Sequence, residues 1–424
     1  MPMRRLVLYA LALFAILSTP ATAQDSGTIE QRAQDVVAVL QGEAAFEEVF
    51  APAFVAAVPE AQFLAVKGQL EAQLGPLVGL ESVEPAGAPG AATIAIRFEN
   101  SIASGPMQLA AEEPWKIAGL LLNSFVPVGE EELSALEQLQ ALPGTTNLLF
   151  AKLDGSEVLA SHNADMPLGI GSTFKLYVLS ALARSIANGE RDWDDVVPLT
   201  ERSFPSGQLQ NWPEGSPLTL HSLATLMISI SDNTATDQLI VELGREAVEA
   251  EVIASGHADP EATFPFLTTR ETFLLKLTED EAARAYIDAP LDVRRVSLDG
   301  LRDRELDLND ASRVFANGPR LLEIEWFASP ADIAGIFTRL AEDPVAREIM
   351  AVNTGIGTEP FADWDYAGYK GGSEPGVLNF SWLLRDDAGA YWVLTMGWND
   401  PQAPVSDLRF ISIARGLLAE AAEN

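Results

Sequence analysis

Apolar residues recur at helical spacing over Glu30 to Leu40 and again over Ala61 to Leu74. Over Ala92 to Phe98 the pattern changes to alternation, with Ile94, Ile96 and Phe98 on one face. A period of about 3.6 followed by a period of about 2 predicts two helices and then a half-buried strand. Trp115 to Phe125 reads as a further strand. Residues 25–126 are therefore expected to form a small α+β domain, and the acidic, partly helical stretch 127–144 a linker.

Past the linker, two pairs of apolar runs carry hairpin chemistry between them. Leu148 to Lys152 and Val158 to His162 flank Asp154-Gly155. Leu378 to Leu384 and Tyr391 to Gly397 flank Asp386-Asp387-Ala388-Gly389. Asp and Gly between alternating runs favour tight turns. The chain between the hairpins is mostly helical in pattern, and Asp407 to Ala422 reads as a terminal helix. Residues 145–424 are thus predicted to be an α/β (α+β) domain, with an antiparallel sheet assembled from both chain ends around a helical subdomain. A chain of 424 residues has room for this second domain beside the first.

Charge and composition remove several classes of function. The formal net charge is −34, spread along the chain. Such a surface repels phosphate backbones and argues against nucleic-acid partners. With no cysteine, disulfides and thiolate chemistry are excluded. The three histidines, His162, His221 and His257, are poorly spaced for zinc, and Asp154, Asp363 and Asp365 match no calcium loop. No metal or cofactor is expected. Arg4, Arg5, the apolar run Leu6 to Leu17 and the small residues Ala21-Thr22-Ala23 read as a cleaved signal peptide, residues 1–23. The protein is expected to be exported, periplasmic or secreted, with no membrane anchor after cleavage.

The candidate chemistry lies in three short segments. Gly171-Ser172-Thr173-Phe174-Lys175 opens the helical run Phe174 to Ala187. A serine there is commonly an N-cap. Lys175, three residues on, shares its face, and a cation in the first turn is opposed by the helix dipole. That field and partial burial lower a lysine's pKa and suit it to take the serine proton. Ser231-Asp232-Asn233 separates the apolar runs Leu218 to Ile230 and Thr234 to Leu243. It offers a hydroxyl able to relay a proton and an amide able to hold a substrate amide. Tyr369-Lys370-Gly371-Gly372-Ser373 lies on a strand pattern. Its glycines permit close backbone approach, and Lys370 supplies a cation for a substrate carboxylate. The backbone N–H groups of Ser373 and Ser172 would form an oxyanion hole. His221, Tyr177 and Trp212 read as structural or core-packing residues, and no Gly-x-Ser-x-Gly supports a triad.

Ser172-x-x-Lys175, Ser231-Asp232-Asn233 and Lys370-Gly371-Gly372, in this order, resemble the three motifs of class A β-lactamases and penicillin-binding proteins. The resemblance covers about residues 145–424. It implies that Ser172 is the acylated nucleophile, Lys175 its activator and Ser231 the proton relay. Asn233, Lys370, Gly372 and Ser373 would be substrate contacts. The helix-then-sheet order of the first domain resembles the cone of nuclear-transport-factor and steroid-isomerase proteins.

Three departures from the family pattern stand out. Gly371 occupies a position where threonine or serine is common, and Ser373 is the candidate for the missing hydroxyl. Thr268-Thr269-Arg270-Glu271 starts the helix that follows the family's deacylating-glutamate loop, but Thr268 with Glu271 makes a capping box. That leaves Glu261 as the one acid near enough to serve, so turnover of penicillins is expected to be slow. Thr278 to Glu325 reads as a charged insertion, either a lid or wall or a solvated loop. Three functions stay open: hydrolysis of a β-lactam through an acyl-enzyme, esterase or D-alanyl carboxypeptidase activity, and lactam binding without turnover. The expected partner is a small molecule, a β-lactam, an ester or a cell-wall peptide, and the oligomeric state is open.

Overall fold

The computed structural model describes residues 26–301, 304 and 318–422; residues 1–23, expected to be a signal peptide, lie outside them. The described residues divide into two compact units, one within 26–138 with 407–416 and the other within 139–406 with 417–422. No helix among the described residues is long and apolar enough to cross a membrane.

The first unit has the helices Ser26–Gln41, Phe46–Val49, Pro52–Ala57 and Glu60–Leu74, followed by a five-stranded sheet. Its strands run Leu77–Pro85, Ala91–Phe98, Ser101–Leu109 and Ile117–Leu120, and Ser124–Pro127 also pairs with the third. All pairings are antiparallel. Ile94, Ile96 and Phe98 are buried, as the alternation predicts. The pattern over Trp115 to Phe125 resolves into two short strands instead of one. Both lie along Ser101–Leu109, where the register shifts at Gln108. Phe46 and Phe50, at the two ends of the second helix, pack ring against ring with Phe63 of the fourth.

In the second unit the sheet order is Tyr366–Glu374, Val377–Arg385, Tyr391–Asn399, Thr145–Lys152 and Val158–His162, antiparallel throughout. Chain-terminal strands thus lie side by side, as the two hairpin patterns predict. Each turn has its own reason to form. Ser156 N–H donates to Asp154 Oδ1 at 2.9 Å beside Gly155 at φ +72. Ala390 N–H donates to Asp386 Oδ1 at 2.7 Å beside Gly389 at φ +83. The helix Lys175–Ala187 is buried along most of its length, as a helix apolar on nearly all sides must be. It packs with Leu220–Ser229, Asn233–Leu243 and Arg245–Ala254 into one core. The described part of the charged insertion joins that core: Ala283, Tyr286, Leu298 and Leu301 are buried in it.

Candidate active site

Ser172 lies in a single 3₁₀ turn, Gly171–Phe174, which runs directly into the helix Lys175–Ala187. Neither element is capped by a side chain, so the serine sits inside the turn and not at an N-cap. Gly171 has φ +49, in the left-handed region that glycine enters without a Cβ penalty. A Cβ on Gly171 would lie 2.9 Å from Ser373 N, and one on Gly372 would lie 2.5 Å from Ser172 N. The serine turn and the strand Tyr366–Glu374 therefore touch backbone to backbone. The contact brings the Ser172 and Ser373 amides to one place, and only residues without side chains permit it.

Lys175 opens its helix and is fully buried. Its Nζ donates to Ser231 O at 2.8 Å, Ser231 Oγ at 3.0 Å and Asn233 Oδ1 at 2.7 Å. Burying an ammonium is costly unless such oxygens surround it. Lys370, also buried, donates to Ser231 Oγ at 3.2 Å and to Gly371 O. The Ser231 hydroxyl is thus set between two lysines. Accepting from both occupies its lone pairs and leaves its own proton to be given.

Ser231 has φ +58, strained for a residue with a side chain. Its surroundings hold it there. Ser206 Oγ donates to Ser231 O at 2.7 Å, and Asn233 N–H donates to Ser206 O at 3.1 Å. Asp232, fully buried, caps the helix Asn233–Leu243 through Ala235 N–H at 2.9 Å. Its second oxygen accepts from the amides of Gln208 and Leu209 at 2.7 and 3.0 Å. The Asn233 amide is oriented by donating to Phe204 O at 3.2 Å. Of the seven site residues read from the sequence, Lys175, Ser231, Asn233 and Lys370 are joined by hydrogen bonds, while Ser172, Gly372 and Ser373 meet along the backbone; the serine turn running into Lys175 and the strand carrying Lys370 link the two sets.

The neighbouring loop is apolar. Phe264, Phe266 and Leu267 are buried ahead of the helix Thr269–Lys276. Thr268 and Glu271 form the capping box that the sequence predicts, and Arg245 pairs with Glu271 at 2.7 Å. Glu261 is exposed on the turn Pro260–Thr263. Asp237 ties this loop to the Ser231 segment: it accepts from Thr269 N–H and Oγ1, each at 2.7 Å, and from Arg270 N–H at 2.9 Å. Burial pushes its carboxyl up to about 6, against the pull of those donors.

The remaining candidates have structural surroundings. His221 is exposed and meets Trp193 edge-on, Tyr177 is buried in the core, and Trp212 is 40% exposed. His257 accepts from Asp259 N–H at 3.2 Å and donates to Phe327 O at 2.8 Å. Sequence reasoning missed Ser206, Lys276, Glu325 and Glu374. The signal for two of them was a lone charge within an apolar run, in Phe273-Leu274-Leu275-Lys276-Leu277 and Ile324-Glu325-Trp326-Phe327.

A profile described as the β-lactamase enzyme family matches residues 130–351. Solved structures with a similar fold include a β-lactamase from Sphaerobacter thermophilus, 23% identical, covering 68% of this chain and 94% of that one, with a TM-score of 0.47. A β-lactamase from Chitinophaga pinensis is 16% identical, with coverage of 68% and 98% and a TM-score of 0.45. The protein PBP-A is 17% identical, with coverage of 68% and 94% and a TM-score of 0.43. No curated protein matches the chain by sequence.

Proposed function

The chain belongs to the β-lactamase enzyme family, and on that premise we propose that it is a serine hydrolase that forms an acyl-enzyme at Ser172. The observation that carries the proposal is the placement of Lys175 Nζ on Ser231 and Asn233, with Lys370 on the same Ser231 hydroxyl. Ser172 Oγ attacks the carbonyl carbon of a β-lactam, ester or small peptide amide, and Lys175, in its neutral form with one of its three donations given up, takes its proton on the freed lone pair. The oxyanion faces the Ser172 and Ser373 amides. As the C–N or C–O bond breaks, Ser231 gives its proton to the leaving atom and regains one from Lys175, which thereby passes on the proton it took from Ser172. Lys370 and Ser373 receive a substrate carboxylate, Asn233 a substrate amide.

Release of the acyl group requires an activated water. Glu271 is engaged in its capping box and Glu261 is exposed, so the loop supplies no placed carboxylate. This favours a slowly decaying acyl-enzyme over rapid lactam turnover. Esterase or D-alanyl carboxypeptidase activity is the second reading, because an acyl group without lactam remnants leaves water freer access. The signal-like residues Arg4, Arg5, Leu6 to Leu17 and Ala21-Thr22-Ala23 support export to the periplasm or medium.

Intact-protein mass spectrometry tests the reading, with a chromogenic cephalosporin and an aryl ester added to wild type and Ser172→Ala. An acyl mass on the wild type alone supports it. Hydrolysis by the wild type with no mass gain on any time scale rejects Ser172 as the nucleophile.

A further inference from the structure

Behind the serine turn lies a buried group of charges that the chemistry above does not use. Lys276, the last residue of the helix Thr269–Lys276, has a side chain with no exposure. Its Nζ is bonded to Glu374 and lies 3.5 Å from Glu325 Oε1. The Glu325 and Glu374 side chains are 2% and 10% exposed. Each acid stands beside one half of the candidate oxyanion hole. Glu325 Oε2 accepts from Gly171 N–H, next to Ser172, at 3.1 Å, and from Trp326 N–H at 3.2 Å. Glu374 directly follows Ser373 on the strand that touches Gly171.

The residues around Glu325 form a backing strip for the serine turn. Phe327 and Ala328 pair with Gly169 and Leu168, Ile170 N–H donates to Trp326 O at 3.0 Å, and Trp326 stacks on Phe174 at 3.7 Å. The last amide in that register, Gly171 N–H, goes to the Glu325 side chain. With Gly171 in the left-handed region, the peptide plane leading into Ser172 depends on what holds that amide.

We propose that Lys276 and Glu325 are positioning residues: the buried ion pair holds Gly171 N–H, and Glu374 draws the Ser373 strand to the same cation, so that together they set the oxyanion geometry and the acylation rate without touching substrate. Buried ion pairs are weak evidence for stability, since apolar replacements of similar volume are often neutral or stabilising. A cluster of two acids on one cation is therefore better explained by what it orients. Burial raises the Glu374 carboxyl above its ordinary range, and the negative Glu325 adds to the rise while Lys276 opposes it.

The inference rests on the serine-hydrolase reading, and the test separates the two. Acylation of the full chain is followed at increasing concentrations of a chromogenic cephalosporin and an aryl ester. Amide hydrogen exchange over residues 168–176 is measured without ligand. Glu325→Ala is expected to lower the saturating acylation constant about tenfold or more, because small misplacements at a reacting centre are costly. The half-saturating concentration changes far less, and exchange over 168–176 quickens. Glu325→Gln, whose amide oxygen still accepts the Gly171 N–H, restores most of both. Lys276→Met strands two buried carboxyls, so Lys276→Met/Glu325→Gln/Glu374→Gln, free of buried charge, is measured beside it and is expected to acylate slowly while folded. Wild-type acylation and exchange in Glu325→Ala overturn the proposal. Should the wild type form no adduct, the hydrolase reading falls by itself. Exchange then decides the positioning role: quickening in Glu325→Ala with recovery in Glu325→Gln supports it, and no change overturns it.

Discussion

Gly371 and Tyr369 occupy one another's space: a Cβ on Gly371 would lie 2.0 Å from the Tyr369 hydroxyl oxygen. Tyr369 also covers Gly355, where a Cβ would lie 2.4 Å from its ring, and it packs on Trp382 at 5.0 Å between centroids. The glycine in the third motif is therefore a steric requirement of the tyrosine two residues earlier. Gly371→Thr, which restores the more common residue, is expected to destabilise the protein by about 1–3 kcal/mol through overpacking. Tyr369→Ala in that background is expected to recover part of the loss. Thermal melts of the two singles and the double measure the coupling; strict additivity would refute it.

The Ser231 hydroxyl, held by both Lys175 and Lys370, has its proton free to give. A lactam nitrogen must be protonated as it leaves, whereas an aryl oxide leaves without help. Ser231→Ala is thus expected to slow acylation by a cephalosporin or penicillin by on the order of 10²–10⁴-fold, the usual contribution of general acid–base catalysis. Acylation by an aryl ester should fall much less. Equal losses for the two donors would show that Ser231 positions rather than relays.

Glu261, exposed on its turn, is expected to have no part in deacylation. In Glu261→Gln the acyl adduct should decay at the wild-type rate, within about twofold, where loss of a true general base costs about 10²-fold or more. Decay traces from intact mass spectra give the answer directly, and a strongly prolonged adduct would reinstate Glu261 as the base.

Asp237 carries a pH signature. Its carboxyl is raised by burial from 3.8 to about 6 in the folded protein. Between those values the folded state holds a proton that the unfolded state has released, so this group's contribution falls as pH rises. It is fully present below about pH 4 and lost through about pH 6. A shift of about two units corresponds to roughly 3 kcal/mol. Urea midpoints of wild type and Asp237→Asn at pH 4, 5, 6 and 7 should show the difference moving in favour of the variant up to pH 6 and flattening above it. A difference independent of pH would mean that Asp237 titrates in its ordinary range.

The site was legible because its chemistry is carried by short local patterns. Ser172 and Lys175 are neighbours on one turn, and Ser231, Asp232 and Asn233 are consecutive. The terminal strands were legible through Asp and Gly turn residues whose bonds the structure contains. Two strands of the first unit were not. Leu77–Pro85 has register shifts between Leu77 and Gly79 and between Leu80 and Ser82, which break the alternation that marks a strand. Ser101–Leu109 holds Gly105 and Pro106, residues that ordinarily argue against a strand interior. Gly105 is needed there because a Cβ would lie 2.0 Å from Leu121 O. Lys276 stands out as a lone charge in an apolar run, but its pairing was illegible: its acid partner Glu374 is 98 positions away, and no local rule connects them.

The strand order of the second unit has a consequence for biosynthesis. Thr145–Lys152 is flanked by Val158–His162, made almost at once, and by Tyr391–Asn399, made near the end. At about 5–20 residues per second the ribosome needs roughly tens of seconds to deliver that second neighbour. Meanwhile the first hairpin is a two-stranded piece, marginal in water, with an apolar edge unpaired. Wherever the chain folds, that edge stays open until Tyr391–Asn399 reaches it, so the sheet closes only once both ends of the unit are present.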